Sequence, residues 1–373
     1  MTEWDIVPEV RTIAVLRANG IGDYLFAIPA LEALRAAYPS AQITLLGAPW
    51  HQAFLTGRPG PVDRVLVVPP CHGVRDTGPD DPHSDAPELQ PFFTAMRAEG
   101  FDLALQLHGG GGNSNPFVRR LGAPVTAGFR APGAPPLDRW TPYDYWQREV
   151  LRLLEGVALV GARPVALDPR LELLPEDRAE AARLLDHGAG PLVALHPGSG
   201  DARRRWPAAG FTAAGKALAR RGARVVVTGS ADERELAAAV AAGIAGARSL
   251  AGALSLGGLA GLFARCDVVV ANDTGPLHLA RAVGAATVGL YWCGNVVNAG
   301  PMTQARQRTL LSWITTCPAC GHKEGEGEPC ACPVSFVAQI APEAVIEACL
   351  SLLGEGDTAK AQRNLGGERV ATQ

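Results

Sequence analysis

The sequence has no run of about 18 apolar residues, the length a membrane-crossing helix needs, so no transmembrane segment is expected. Residues Met1 to Asp5 lack the basic start and apolar stretch of a secretory signal peptide, and a cytoplasmic protein is the expectation. Excess charge is missing too. The 34 Lys and Arg against 37 Asp and Glu leave a net charge of −3, so no global field draws the chain to nucleic acid. Eight cysteines in 373 residues do not make a secreted disulfide scaffold, although four of them gather between Cys317 and Cys332. What is present is globular: 47% hydrophobic and 19% charged residues, in a chain long enough for two ordinary domains.

Short β-branched runs alternate with Ala- and Leu-rich helical stretches. Strands are expected at 12–17, 42–46, 64–68 and 103–107, and the pattern restarts with strands at 191–196, 223–228, 266–271 and 287–291. Helices are expected at 24–38, 211–221, 233–242 and 275–283. This alternation predicts an α/β protein with two parallel sheets covered on both faces, and ligands at the carboxyl ends of the strands. The boundary between the halves falls near Pro164–Pro175, which gives domains at 1–168 and 169–353. Residues 69–91 and 129–145 are rich in Pro and read as long loops, a sign of function or mobility. From Gly354 to Gln373 the chain is polar and aperiodic, so a disordered tail is expected.

Four motifs stand at strand ends. In the first, residues 17–23, Gly20 and Gly22 lack the third small residue of a dinucleotide fingerprint, because Leu25 is there. The pair reads as a tight turn that either presents Asp23 to a cleft or merely makes it a helix cap. The second is His196-Pro197-Gly198-Ser199-Gly200 with Arg203–Arg205 behind it. Backbone amides and arginine forks together suit a diphosphate; the bland reading is a solvated basic turn. The third is Asn272 to His278, where Pro276 marks a helix start and Thr274 and Gly275 would offer amides at the positive end of the dipole. Asp273 as a plain N-cap and His278 as a core histidine remain open. The fourth, Thr228 to Glu233, places a carboxylate after a strand, either for ribose hydroxyls or as an ordinary helix-start acid.

Cys317-x-x-Cys320 and Cys330-x-Cys332 bring four thiols into sixteen residues, enough for a tetrahedral zinc site. His322 is an alternative ligand, and reduced thiols or a disulfide-forming loop are the other readings.

In order and spacing these motifs resemble glycosyltransferase family 9, the heptosyltransferase-like group, over most of residues 11–350. The resemblance rests on residues 17–31, with Gly20-Ile21-Gly22-Asp23 and Ile28-Pro29-Ala30-Leu31, on His196–Gly200 with Arg205-Trp206-Pro207 and Phe211, and on Asn272–His278. It implies a GT-B fold, two Rossmann-like domains facing a central cleft, and an inverting transfer from a nucleotide-diphosphate sugar, ADP-heptose-like, to a saccharide or glycolipid acceptor. Peripheral contact with the inner face of the cell membrane would follow from a lipid-borne acceptor. Asp23 would be the general base, with Asn19, Gly20 and Gly22 on the acceptor side. Donor binding would fall to His196, Gly198, Ser199, Arg204, Arg205, Glu233, Asp273, Thr274, Gly275 and His278. No cofactor would be required for catalysis; a zinc ion on the four cysteines would be structural. Arg204 stands where relatives often carry a Lys ahead of Trp206-Pro207, and residues 69–145, of the kind that meet the acceptor, match poorly. Two other classes share the architecture: a two-domain nucleotide-sugar epimerase, which uses no acceptor, and a non-catalytic nucleotide-sugar binding protein.

Overall fold

The computed structural model describes residues 5–185, 188–323 and 330–367. The chain divides into two compact units, Met1–Glu172 and Leu173–Gln373. In the first, six strands lie in chain order: β1 (Thr12–Leu16), β2 (Gln42–Gly47), β3 (Arg64–Val67), β4 (Leu103–Gln106), β5 (Val125–Arg130) and β6 (Arg139–Pro142). In the second, the strands are β7 (Leu192–His196), β8 (Arg224–Val227), β9 (Arg248–Ser249), β10 (Val268–Asn272), β11 (Thr287–Trp292) and β12 (Gln307–Ser312). Every strand pairing is parallel. That explains the near-continuous apolar runs of β1, β7 and β10, which helices bury from both faces.

The sheet orders are β3-β2-β1-β4-β5-β6 and β12-β11-β10-β7-β8-β9. Counted from the first strand of each unit, they are the same Rossmann order. In each the winding reverses beside the first strand, between β1 and β4 and between β7 and β10, and the loops there diverge to leave a crevice at the carboxyl ends. The amino ends are closed instead. Asp102, just before β4, accepts hydrogen bonds from Arg11 N (2.8 Å), Thr12 N (2.9 Å) and Thr12 Oγ1 (3.0 Å). Asp267 holds the equivalent place before β10 and accepts from Leu192 N at 2.9 Å.

Two readings of the sequence are corrected. Residues 129–145 are not one loop: they hold the end of β5 and all of β6. The helix read from Tyr24 starts at Ile21 and spans Ile21–Ala37; Asp23 is in its first turn and does act in its cap, accepting the N-cap Gly20 N–H. The last helix spans Pro342–Gly367, overlapping the stretch expected as a tail, and residues 368–373 lie outside the described residues. Among the described residues no helix is long and apolar enough to cross a membrane.

Candidate functional site

In the first unit, the turn after β1 lies at the switch point beside the loop after β4. Gly20, extended at φ −74°, precedes the helix, and its N–H donates to Asp23 Oδ2 at 3.2 Å. The other carboxylate oxygen, Oδ1, accepts from Arg17 Nη2 at 3.2 Å, while Arg17 Nε donates to the Asp23 carbonyl at 3.1 Å. Arg17 is itself buried, its side chain 3% exposed against 45% for Asp23. Arg17 also donates to Leu107 O (2.6 Å) and pairs with Glu149 (2.9 Å), which in turn is ion-paired with Arg152. The carboxylate is thus aimed from two sides while an ionised carboxylate's remaining lone pairs stay open to solvent.

Two histidines flank this turn. His108, after β4, accepts the Ala18 N–H on Nδ1 at 3.2 Å, and burial, helped by the Arg17 charge, lowers its pKa to about 4. His51 accepts the Ala48 N–H at 3.0 Å, and burial lowers its pKa to about 3. Both are neutral near pH 7 and add no cation to the site. Trp50 stacks on His51 (centroids 3.6 Å apart) and donates its Nε1–H to Asn19 O at 3.2 Å, supporting the turn from beneath. Gly109–Gly112 follow His108. Gly111 has φ +92°, and a Cβ there would collide with the Phe129 carbonyl at 2.7 Å, so glycine is required. Glu149, His51 and His108 were not picked out from the sequence. The four consecutive glycines after a strand were the available signal for the loop, whereas nothing local announces Glu149, 132 residues from Arg17.

In the second unit, three strand-end loops converge on the β7/β10 switch point. Asn272 closes β10 and is fully buried. Its Nδ2 donates to Pro197 O (2.9 Å) and Gly198 O (3.2 Å), and its Oδ1 accepts the Trp206 N–H (3.0 Å). One side chain therefore fastens both ends of the loop that holds Gly198, Ser199, Arg204 and Arg205. Arg205 Nε donates to Ser199 O at 2.6 Å. Arg204 Nη1 donates to Asp273 O at 3.2 Å and lies 3.7 Å from Asp273 Oδ2. Glu233 accepts the Ser230 N–H (2.8 Å), lies 4.0 Å from His196 Nε2, and fills the space that a Cβ on Gly198 would need. His196 Nδ1 meets Thr228 Oγ1 at 3.0 Å; burial lowers its pKa to about 4, against the pull of Glu233.

Thr274, extended at φ −157°, is the N-cap of the helix Gly275–Ala282 and makes no side-chain cap, so Asp273 is not the N-cap. Asp273 instead turns inward. Its side chain is 1% exposed, with Oδ1 3.2 Å from His278 Nε2. Arg281 Nη1 faces His278 Nδ1 at 3.2 Å, and the two buried Asp273 carboxylate oxygens make no hydrogen bond among the described residues. The residues expected from the sequence on the donor side therefore lie together at and just after the carboxyl ends of β7, β8 and β10, and Asn272, not singled out before, joins them.

The four cysteine sulfurs Cys317, Cys320, Cys330 and Cys332 lie within 4.8 Å of one another. A tetrahedral thiolate site with metal–sulfur bonds of about 2.3 Å has sulfur–sulfur edges of about 3.8 Å, so the cluster fits a metal ion with a small closure. The Cys317–Cys320 turn is preformed: Cys317 N–H donates to His322 O (2.7 Å), Gly321 N–H donates to Cys317 O (2.9 Å), and Gly321 takes φ +74°. All eight cysteines are free thiols.

Residues 90–330 match the family model described as glycosyltransferase family 9 (heptosyltransferase). The chain belongs to that family. It is therefore a glycosyltransferase, and the epimerase and binding-protein readings fall away. It is similar to lipopolysaccharide heptosyltransferase 2 of Salmonella typhimurium strain LT2, 25% identical over 92% of this chain and 99% of the relative. Among solved structures it resembles the glycosyl transferase family 9 protein of Veillonella parvula DSM 2008, with TM-score 0.73 and 23% identity over 95% of this chain and 99% of that one. It also resembles the E. coli ADP-heptose lps heptosyltransferase II, with TM-score 0.70 and 20% identity over 93% and 99%. These likenesses show the fold, the GT-B class of α/β protein.

Proposed function

We propose that this glycosyltransferase is inverting and moves a heptose-like sugar from an ADP-heptose-like donor to a saccharide or glycolipid acceptor of lipopolysaccharide type, with Asp23 as general base. The observation that carries the reading is the half-exposed Asp23 carboxylate, held by buried Arg17 and the Gly20 amide in the turn after the carboxyl end of β1. The names of the Salmonella and E. coli relatives support the sugar and the acceptor class. In the proposed step Asp23 takes the acceptor hydroxyl proton, and the oxygen attacks the anomeric carbon from the face opposite the leaving group. The bond from that carbon to the diphosphate oxygen breaks, and the nucleoside diphosphate leaves with the electron pair. Its charge is met by the Thr274 and Gly275 amides at the helix start and by the Arg204 and Arg205 guanidiniums. His278 and Asp273 serve the same donor site, and Glu233 takes the ribose hydroxyls. A lipid-borne acceptor would put the reaction at the inner face of the membrane.

The four cysteines hold one structural zinc ion in this reading, and no step of the transfer passes through it. Asp23→Asn tests the base: nucleotide affinity should hold while turnover drops by a factor of about 10²–10⁴. Normal turnover in the Asn variant removes Asp23 from the role, and retention of anomeric configuration in the product removes the inverting displacement.

A further inference from the structure

We infer that the four-cysteine metal centre positions the donor loop: the bound ion pins the segment on which residues 199–206 are hung, so metal occupancy sets affinity for the donor nucleotide. The inference rests on the donor and zinc readings above, and it concerns only the second unit.

Between the end of β12 at Ser312 and the helix start at Pro342, the chain has no helix or named strand among its described residues. A stretch of that length inside a compact unit needs other fastenings. The cysteines supply one end of the fastening. Cys317 is buried in the same apolar core as Trp206, Trp292 and Phe336, whereas Cys320 is exposed, so the site sits on the rim of that core. Without an ion, four thiols in contact offer each other only weak hydrogen bonds.

The other end is the donor loop. Phe336, just beyond Cys332, is 1% exposed and stands edge-on to Trp292 at 4.9 Å. Its N–H donates to Arg203 O at 2.7 Å, and its carbonyl accepts from Ser312 Oγ. The Arg203 guanidinium lies over the Trp292 ring, 5.3 Å from its centroid, and grips the Asp201 carboxylate through Nε at 3.1 Å and Nη2 at 2.8 Å. Three residues further along, Trp206 Nε1–H donates to Ile340 O at 2.9 Å. The donor loop is thus held on one side by Asn272 and on the other by 336–340. Besides the packing of Phe336, Val337 and Ile340 into the core, that second support is tied at its amino end by Ser312 and by the cysteine centre. Loss of the ion frees the cysteine ends, lets Phe336 leave Trp292, and deprives Arg203 of its backbone partner. The arginines behind Gly198 then no longer stand ready for a diphosphate, and binding must first order them.

The experiment uses the full chain in three forms: as purified, stripped by a chelator under reducing conditions, and reconstituted with zinc. Metal content, ADP binding by calorimetry, and amide exchange at Phe336 and residues 199–206 are measured on each. About one zinc per chain is expected, with at least a tenfold loss of ADP affinity and faster exchange at those amides on stripping, all reversed by zinc. Ser312→Ala loosens the same support without touching a thiol; it should keep the metal and still weaken ADP binding severalfold. Stripped protein that keeps its exchange pattern and ADP affinity overturns the inference, as does Ser312→Ala with unchanged affinity, or purified protein free of metal with four titratable thiols in the cluster. If the zinc-loaded chain binds no ADP at all, the donor reading fails instead, and the exchange data alone decide the coupling.

Discussion

Asn272→Asp is the sharpest test of how the donor crevice is built. The substitution keeps shape and volume, and the retained Oδ1 can still accept the Trp206 N–H at 3.0 Å. It replaces the Nδ2 donor with an oxygen facing the Pro197 and Gly198 carbonyls at 2.9 and 3.2 Å. Two hydrogen bonds at about 1 kcal/mol each are lost, and two buried carbonyls now confront an acceptor, for a total of roughly 2–4 kcal/mol. For a unit of this size each kcal/mol moves the melting midpoint by about 2–4 °C, so a fall of roughly 5–15 °C is expected. Protonating the new carboxyl restores one donor, so part of the loss should return at low pH relative to the parent protein. Because the same side chain holds both ends of the donor loop, ADP affinity by calorimetry should fall at least tenfold while the far-ultraviolet circular dichroism stays that of the parent. An unchanged midpoint together with unchanged ADP affinity would refute the idea that Asn272 fastens the loop.

Arg204→Ala removes the guanidinium that bonds Asp273 O and stands 3.7 Å from its carboxylate. The loss of one charged contact to diphosphate should cost about 1.5–3 kcal/mol, a tenfold to hundredfold drop in ADP affinity, with Arg204→Lys intermediate; equal affinities in all three forms would place the phosphates elsewhere. Stability should also depend on pH in a definite direction. His51, His108 and His196 have folded-state pKa values lowered by burial to about 3, 4 and 4, below the ordinary value near 6.5. The unfolded chain therefore binds more protons between those limits. The stabilisation is complete above about pH 6.5 and is lost as pH falls toward 4, by roughly 3 kcal/mol for each ring. A melting midpoint that stays level from pH 7 to 4.5 would contradict the buried, neutral state of these rings.

The eight strands read from the sequence are all present, because each is an apolar run of the kind a doubly covered parallel strand requires. The strands not read are β5, β6, β9 and β12; β6, β9 and β12 each end a sheet, and β5 lies next to the edge strand β6. An edge strand pairs on one side only and needs no continuous apolar run: β6 alternates half-buried and exposed residues and ends on Pro142, and β9 has two residues. The positions of Asp23 and of the residues proposed for the donor were legible as strand-end motifs because each motif is local to one strand end. The network that aims Asp23 was not. Arg17 and Glu149 meet only because the helix Glu149–Ala158 packs against the helix Ile21–Ala37, a pairing no short pattern announces. The role of Asn272 likewise depends on β7 and β10 being neighbours in space, 75 residues apart at the Pro197 contact.

Because all strands of a unit run the same way, each sheet has one edge where every chain enters and another where every chain leaves. The groups proposed for catalysis and ligand binding lie at the leaving edge, while Asp102 and Asp267 clamp the entering edge at matching places in the two repeats. Robustness and chemistry are thereby assigned to opposite ends of the same strands. A lineage carrying this fold can strengthen the entering edge, or wear it down, with little consequence for which sugar is handled. Changes at the leaving edge touch both together, and that is where tolerance for drift should be narrowest.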